Sequence, residues 1–543
     1  MARAERKTIP DHETKSWPPG VPYIIGNEGC ERFSYYGMRS ILTVHLVTLF
    51  VAQQMTEAVA NAEAIAMAHI FFAGVYAFPM IGALIADRLV GKYNTILWLS
   101  LVYCAGHAVL AVGENSITGM GIGLALIAVG SGGIKPCVSA NVGDQFGKNN
   151  WFRVKSIFQA FYFIINFGSF FATLLIPYLR VKFSTSVAFG LPGVLMFIAT
   201  IFFWSGRHKY VHVPAKPGGR LGLLDAGAAI ALFMTVGHLF VTGPILRLSV
   251  TWMVASSITF LVLGIFLFSW RQRVEATDGF LAVMGLTLSN YFGGGRAPAP
   301  ALASGSTASD HPLSTSKFWK PAVARFGGEA TEATLAVLKV ISVFFLVSIF
   351  WALFEQHGST WIIQAKSMDL VFMGQKMLPS QIAALNPMMV MALIPIMNGL
   401  YKLSAKAGFE PTSLRRMTVG MFMAGVSFVA VALIQKEIDI QGAGVVNVGW
   451  QIVPYVLVTI SEVMVSITGL EFAYTQAPKR MKSTIMGFWM LTVSLGQVLV
   501  AVLASVKGLG PQQSFWVYSG LMFGATLLFG IRARFYTIKD YTQ

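Results

Sequence analysis

Fourteen apolar runs, each long enough to cross a lipid bilayer, are separated by short polar breaks. Nothing else in this chain restricts its fold as strongly. A helix needs about 20 apolar residues to cross the hydrocarbon layer. Inside that layer the backbone must satisfy its own hydrogen bonds, which excludes irregular structure facing lipid. The runs fall near 22–52, 65–86, 94–113, 118–140, 153–179 and 187–205, then 222–243 and 250–270. Beyond a polar stretch, six more fall near 335–356, 384–401, 415–435, 451–475, 484–506 and 514–533. The pattern predicts an all-α polytopic membrane protein: six spans, two extra spans and six more.

Only 12% of the residues are charged, about half the share of a soluble domain. The formal net charge of +16 would suggest nucleic acid in a soluble protein. Here the cations sit in alternate loops, which is the bias that sets orientation in a membrane. Loops expected inside hold Arg88 and Lys92; Lys148, Arg153 and Lys155; Arg207, Lys209, Lys216 and Arg220; Lys402, Lys406, Arg415 and Arg416; Lys479, Arg480 and Lys482; and Arg532, Arg534 and Lys539. Arg180 with Lys182 and Lys366 with Lys376 are exceptions. Arg3, Arg6, Lys7 and Lys15 favour a cytoplasmic N-terminal tail, and an even number of spans then places both termini inside. Cys30, Cys104 and Cys137 fall in apolar segments, so neither a disulfide framework nor a metal site is suggested. The first span is long and charged, unlike a cleaved signal.

The expected division is a tail over 1–21, a six-helix bundle over 22–206, two inserted helices over 207–273, a linker over 274–333, a second six-helix bundle over 334–535 and a tail over 536–543. The Gly, Ala, Ser and Pro content from Gly293 to Pro312 predicts a flexible linker. Two bundles joined in this way could rock against each other. The inserted pair holds few ionisable groups besides Asp225, His238 and Arg247, and is read as structural.

Charges inside the apolar runs carry the functional signal. Glu28, Glu31, Arg32, Tyr35 and Arg39 follow i, i+3, i+4, i+7 and i+11, which is one face of the first helix. About 16 Å separates Glu28 from Arg39 along it. A charge at mid-bilayer costs about 2.5–3.5 kcal/mol or more, so this stripe must face protein or water. The second span puts His69 and Tyr76 on one face; packing is the simpler role for a lone histidine. The fourth span reads Gly130-Ser131-Gly132-Gly133-Ile134-Lys135-Pro136, in which glycines permit close helix approach and the proline kinks the helix. Snorkelling is the bland reading of Lys135; the space opened beside it favours a functional one. This glycine run lacks the Gly-Lys-Ser/Thr and the preceding strand of a phosphate loop, so no nucleotide is expected.

Further on stand Asn166, Glu355 near the outer end of its span, Asn386 and Glu462. Glu462 lies about eleven residues into the apolar run near 451–475, with Ser466 four residues on. Trp489 could be packing or a cavity wall. The first half thus supplies cations at Arg39 and Lys135, and the second supplies an anion at Glu462. A cavity between them suits a zwitterion with separated ends, as in a short peptide, and Tyr and Trp would offer walls tolerant of varied side chains.

These residues resemble the proton-dependent oligopeptide transporter family of the major facilitator superfamily, along nearly the whole chain. Glu28-x-x-Glu31-Arg32-Phe33-x-Tyr35-Tyr36-Gly37 is similar to the family's first-helix motif. Gly130 to Pro136 with Asp144-Gln145-Phe146 resembles one family signature, and Phe161-Tyr162-x-x-Ile165-Asn166-x-Gly168 the other. The resemblance implies the major facilitator fold and import of di- and tripeptides with protons across a cell inner membrane, with no cofactor, metal, nucleic acid or nucleotide. It implies proton coupling by Glu28, Glu31, Arg32 and Glu355. His69 stands where mammalian members carry a proton-linked histidine. Arg39 and Lys135 would meet the peptide carboxylate, and Glu462, Asn166, Asn386 and Ser466 the amino end and backbone. Tyr35, Tyr36, Tyr76 and Trp489 would line the pocket. Two inserted helices are similar to bacterial members. A member carrying nitrate, an amino acid or a peptide-like conjugate is the nearest rival. A membrane peptidase is less consistent, since no His-Glu-x-x-His motif is present, and a channel would dissipate a gradient.

Overall fold

The computed structural model describes residues 7–243, 248–275, 277–293, 311–476, 478, 481–506 and 509–539. Arg3, Arg6, Arg247, Lys479, Arg480, residues 276 and 294–310 of the expected linker and the last four residues lie outside them. Fourteen helical segments among the described residues are long and apolar enough to cross a membrane. The first bundle holds α1 (Val21–Ala52), α2 (Glu57–Ile85), α3 (Lys92–Val112), α4 (Ile117–Gly143), α5 (Val154–Lys182) and α6 (Thr185–Ser205). The inserted pair is α7 (Gly219–Gly237) and α8 (Val250–Val274). A short helix, α9 (Phe280–Phe292), falls in the stretch expected as linker. It buries Ala282 and Val283 against Trp319, Ala322 and Phe326. Its apolar face is too short to read as a span, and for that reason the sequence did not single it out.

The second bundle holds α10 (Lys320–Phe354), α11 (Leu385–Lys406), α12 (Ser413–Gln441), α13 (Ile452–Glu462), α14 (Lys482–Ala504) and α15 (Pro511–Arg534). α13 continues through a widened turn at Val463–Ile467 into Thr468–Thr475. Within α10, Gly327 sits at φ +84°, a left-handed geometry that only glycine adopts without cost. The chain bends there, and the membrane-crossing part follows. A two-residue antiparallel hairpin, Val371 opposite Lys376 and Phe372 opposite Gln375, lies between α10 and α11.

Two large hydrophobic clusters form, one from Val21 to Tyr210 and one from Ala333 to Phe529. In the first bundle, glycines set the helix spacing. A Cβ on Gly82 of α2 would lie 2.4 Å from the backbone of Gly133 in α4, and one on Gly130 would meet Tyr103 of α3 at 2.7 Å. The glycine run therefore brings α4 against both neighbours, as its composition predicts. The inserted pair is mostly lipid-facing: the apolar window of α8 is 6% buried. Asp225 of α7 is held by Arg271 of α8 at 2.9 Å and by Arg88 at 3.6 Å.

Candidate functional site: a charged cavity between the two bundles

Between the bundles lies a cavity of about 190 Å³. Tyr36, Arg39 and Ser40 of α1, Tyr76 of α2 and Asn166, Ser169 and Thr173 of α5 line one side. The other side is Trp351 and Phe354 of α10, the turn that follows it, Asn386 and Pro387 of α11, and Glu462 with Ser466. Arg39 and Glu462, from opposite halves, thus face one space.

Arg39 is buried, and burial of a lone guanidinium is costly. Glu355 meets that need from across the interface with a direct ion pair. The Glu355 carbonyl oxygen accepts a second, longer bond from Arg39 Nη2 at 3.4 Å. The guanidinium also lies 4.7 Å from the centre of the Phe72 ring. Glu355 opens a tight 3₁₀ turn, Glu355–Gly358, where a helix end frees backbone and lets the carboxylate reach sideways. Gly358 closes that turn against the guanidinium; a Cβ there would approach Arg39 Nη2 to 3.1 Å.

Glu462 has no cationic partner among the described residues. Asn386 Nδ2 donates to its carboxylate at 2.8 Å and approaches Thr459 Oγ1 at 3.2 Å. The widened turn begins one residue after Glu462, and such insertions recur at functional sites. Asn166 Nδ2 donates to the Tyr162 carbonyl oxygen at 2.9 Å.

The first-helix stripe divides in two. Arg39 reaches the cavity. Glu28, Glu31 and Arg32 form a separate clamp inside the first bundle, with Arg32 Nε 2.7 Å from Glu28 and 3.3 Å from Glu31. Ser131 of α4 donates to Glu31 at 2.6 Å. Lys135 stands next to this clamp without a hydrogen-bond partner for its ammonium. It lies 4.2 Å from the Tyr35 ring centre and 4.7 Å from that of Tyr76. Tyr76 lines the cavity, so Lys135 stands one ring behind the wall. Tyr35 is fully buried beside it.

Two other expected residues sit differently from a cavity wall. Trp489 is buried behind Trp351, with ring centres 6.0 Å apart, and wedges over Gly469, where a Cβ would come within 2.1 Å of its ring. His69 bridges the halves: Nδ1 meets Gln497 Oε1, and Nε2 meets Ser359 Oγ at 2.8 Å. Both partners have an oxygen able to accept.

Trp351, Phe354, His357, Ser169 and Thr173 also line the cavity without having been singled out in the sequence. Trp351 and Phe354 flank Glu355 in a run apolar enough to read as ordinary core.

A family model described as the POT family matches residues 93–221 and 313–517. This chain belongs to the POT family. The first-helix, fourth-span and fifth-span motifs point to the same family. Among solved POT structures, an auto-inhibited POT family peptide transporter is 38% identical, covering 97% of this chain and 99% of its own, with a TM-score of 0.75. The POT family transporter PepTSo is also 38% identical, covering 96% and 98%, with a TM-score of 0.76. The fold is therefore that of these POT transporters: two six-helix bundles with two additional helices. Peptide transporter family 1 of Drosophila melanogaster is 31% identical over 78% of this chain and 48% of that protein. Human solute carrier family 15 member 1 is 32% identical over 79% and 53%. The chain spans about half the length of these animal relatives.

Proposed function

We propose that this POT-family protein is a proton-coupled symporter of di- and tripeptides that works by alternating access. The observation that carries the reading is the cavity between bundles with Arg39 on one wall and Glu462 on the other. A dipeptide offers a carboxylate to Arg39 and an ammonium to Glu462. Asn166 and Asn386 then address the backbone between them, and Trp351 with Phe354 packs on varied side chains.

Proton coupling follows from competition for Arg39. Its cavity-side partner is Glu355. A peptide carboxylate that takes the guanidinium leaves Glu355 buried without a cation. A desolvated carboxylate binds a proton readily. The clamp of Glu28, Glu31 and Arg32, with unpaired Lys135 beside it, is a second acid–base group that can exchange a proton. Release of peptide and proton restores the ion pair and closes the empty cavity. One charge moved through 100 mV supplies about 2.3 kcal/mol, or roughly fifty-fold accumulation.

The charge bias of the loops supports an inner-membrane orientation with both termini cytoplasmic. The bundles over 22–206 and 334–535 are the moving parts, and the inserted helices are structural.

The test is uptake into proteoliposomes under an imposed pH gradient. Labelled dipeptide should accumulate against its gradient and be competed by unlabelled di- and tripeptides. Competition by nitrate but not by tripeptides would move the reading to another solute.

A further inference from the structure

The cavity does not account for a second file of polar groups inside the first bundle. We infer that this file, Glu114, His45, His107 and Tyr103, forms a proton path that reaches Glu31 without crossing the peptide cavity. It rests on the symport reading and says where the proton travels.

The file starts at the turn between α3 and α4. His45 Nε2 lies 2.8 Å from the Glu114 carbonyl oxygen. A carbonyl accepts, so Nε2 carries the hydrogen and Nδ1 keeps its lone pair. That Nδ1 is buried without a partner, as is Glu114 Oε2. Phe189 of α6 forms the next link. Its ring lies 5.4 Å from the His45 ring, and its carbonyl oxygen accepts from His107 Nδ1 at 3.1 Å. By the same logic His107 Nε2 keeps a lone pair, and it too is buried and unpartnered. Tyr103 stands one turn along α3, with its ring 5.0 Å from that of His107 and its hydroxyl again unpartnered. The Tyr103 backbone and Cβ abut Gly130, whose neighbour Ser131 bonds Glu31, and Tyr103 lies within electrostatic range of Glu31.

Three features separate this file from ordinary packing. Tyr103 and His107 are fully buried, yet each leaves a polar atom unmet, which natural cores avoid. Glycines let the helices carrying both residues approach closely: a Cβ on Gly193 would lie 2.5 Å from His107 Cβ, and one on Gly130 would lie 2.7 Å from the Tyr103 backbone and Cβ. None of the four residues lines the peptide cavity. His45 is faced by Glu114 and Arg180, and Tyr103 by Glu31, Arg32, Tyr35 and Cys104. His107 is faced by Tyr103 and the Phe189 carbonyl.

The transfer balances at each station. Glu114 gives its proton to His45 Nδ1, and a proton is passed to His107 Nε2. Tyr103 accepts one on its oxygen and releases its own hydroxyl proton, and the Glu31 carboxylate ends as a carboxyl. Stations out of direct reach exchange through ordered water, which clustered polar atoms retain.

Tyr103→Phe removes a hydroxyl alone, and His107→Gln keeps size and polarity without titrating. Both are tested in proteoliposomes for dipeptide accumulation under a pH gradient and for dipeptide counterflow, which needs no net proton movement. Each variant should lose at least about five-fold in driven accumulation while counterflow stays within about two-fold. Full driven accumulation in both variants, or parallel loss of both activities, overturns the path. Absence of driven accumulation in the unaltered protein removes the symport reading, and the path with it.

Discussion

In the proposed reading Glu462 is the side chain that meets the peptide ammonium. Its carboxylate is half-buried, and its hydrogen-bond partner is the amide of Asn386 and not a cation. In that reading an incoming ammonium supplies the missing cation. A hydrogen bond to a charged group contributes about 1.5–3 kcal/mol, roughly ten- to a hundred-fold in affinity. Glu462→Ala should therefore weaken peptides with a free amine by at least about ten-fold and N-acetylated ones far less; competition assays with matched pairs measure this, and equal losses would remove the assignment. Glu31→Gln keeps the Ser131 contact and removes the charge. It should abolish driven accumulation while peptide exchange remains measurable in proteoliposomes. His69→Ala removes a titratable bridge between Gln497 and Ser359. A shifted pH optimum of uptake is expected, and an unchanged one would leave His69 as an interhelical contact alone.

Helix irregularities do the positioning at the scale of elements. The 3₁₀ turn after α10 turns Glu355 toward Arg39, and the widened turn after Glu462 loosens α13 where it meets α11. The same stretch of α13 passes beneath Trp489 at Gly469, where any side chain would overlap the indole. Overpacking of this kind costs about 1–3 kcal/mol. Gly469→Val should lower the melting temperature in detergent by several degrees and impair uptake by displacing Trp489 against Trp351. Retention of both would show that the indole has room to move.

The molecule as a whole is two cores that pack on each other, chiefly α2 against α14 and α5 against α11, with a few polar contacts across the seam. Arg39 pairs with Glu355, His69 with Gln497 and Ser359, and Ser494 Oγ donates to the Ala73 carbonyl oxygen at 2.8 Å. Rocking requires that these break and re-form. Exchanging the charges, as Arg39→Glu with Glu355→Arg, should rebuild an interface pair that either single change loses. The double variant should recover more melting temperature than the two single changes predict when summed, while peptide affinity stays low because the cation has moved. Additive losses would mean that the two groups do not couple. The lipid-facing inserted pair contributes no residue to the cavity. Excision of residues 219–274 should leave driven uptake within about threefold, which corresponds to less than 1 kcal/mol.

Apolar length and periodicity are local properties of a chain, and in a membrane they decide most of the architecture. For that reason the span count, the helical class and the acid–base stripe are legible without coordinates. Glu28, Glu31, Arg32 and Arg39 are visible because charge in an apolar run is costly anywhere in a bilayer. Which of them share a space is a different matter, because that depends on helices hundreds of residues apart. Only the tertiary structure sets Arg39 against Glu355, withdraws Glu28, Glu31 and Arg32 into a clamp, places Lys135 behind Tyr76 and puts Trp351 in front of Trp489. Those choices rest on helix rotation and on single-residue changes in helical pitch, which move a side chain between cavity and core without altering hydropathy.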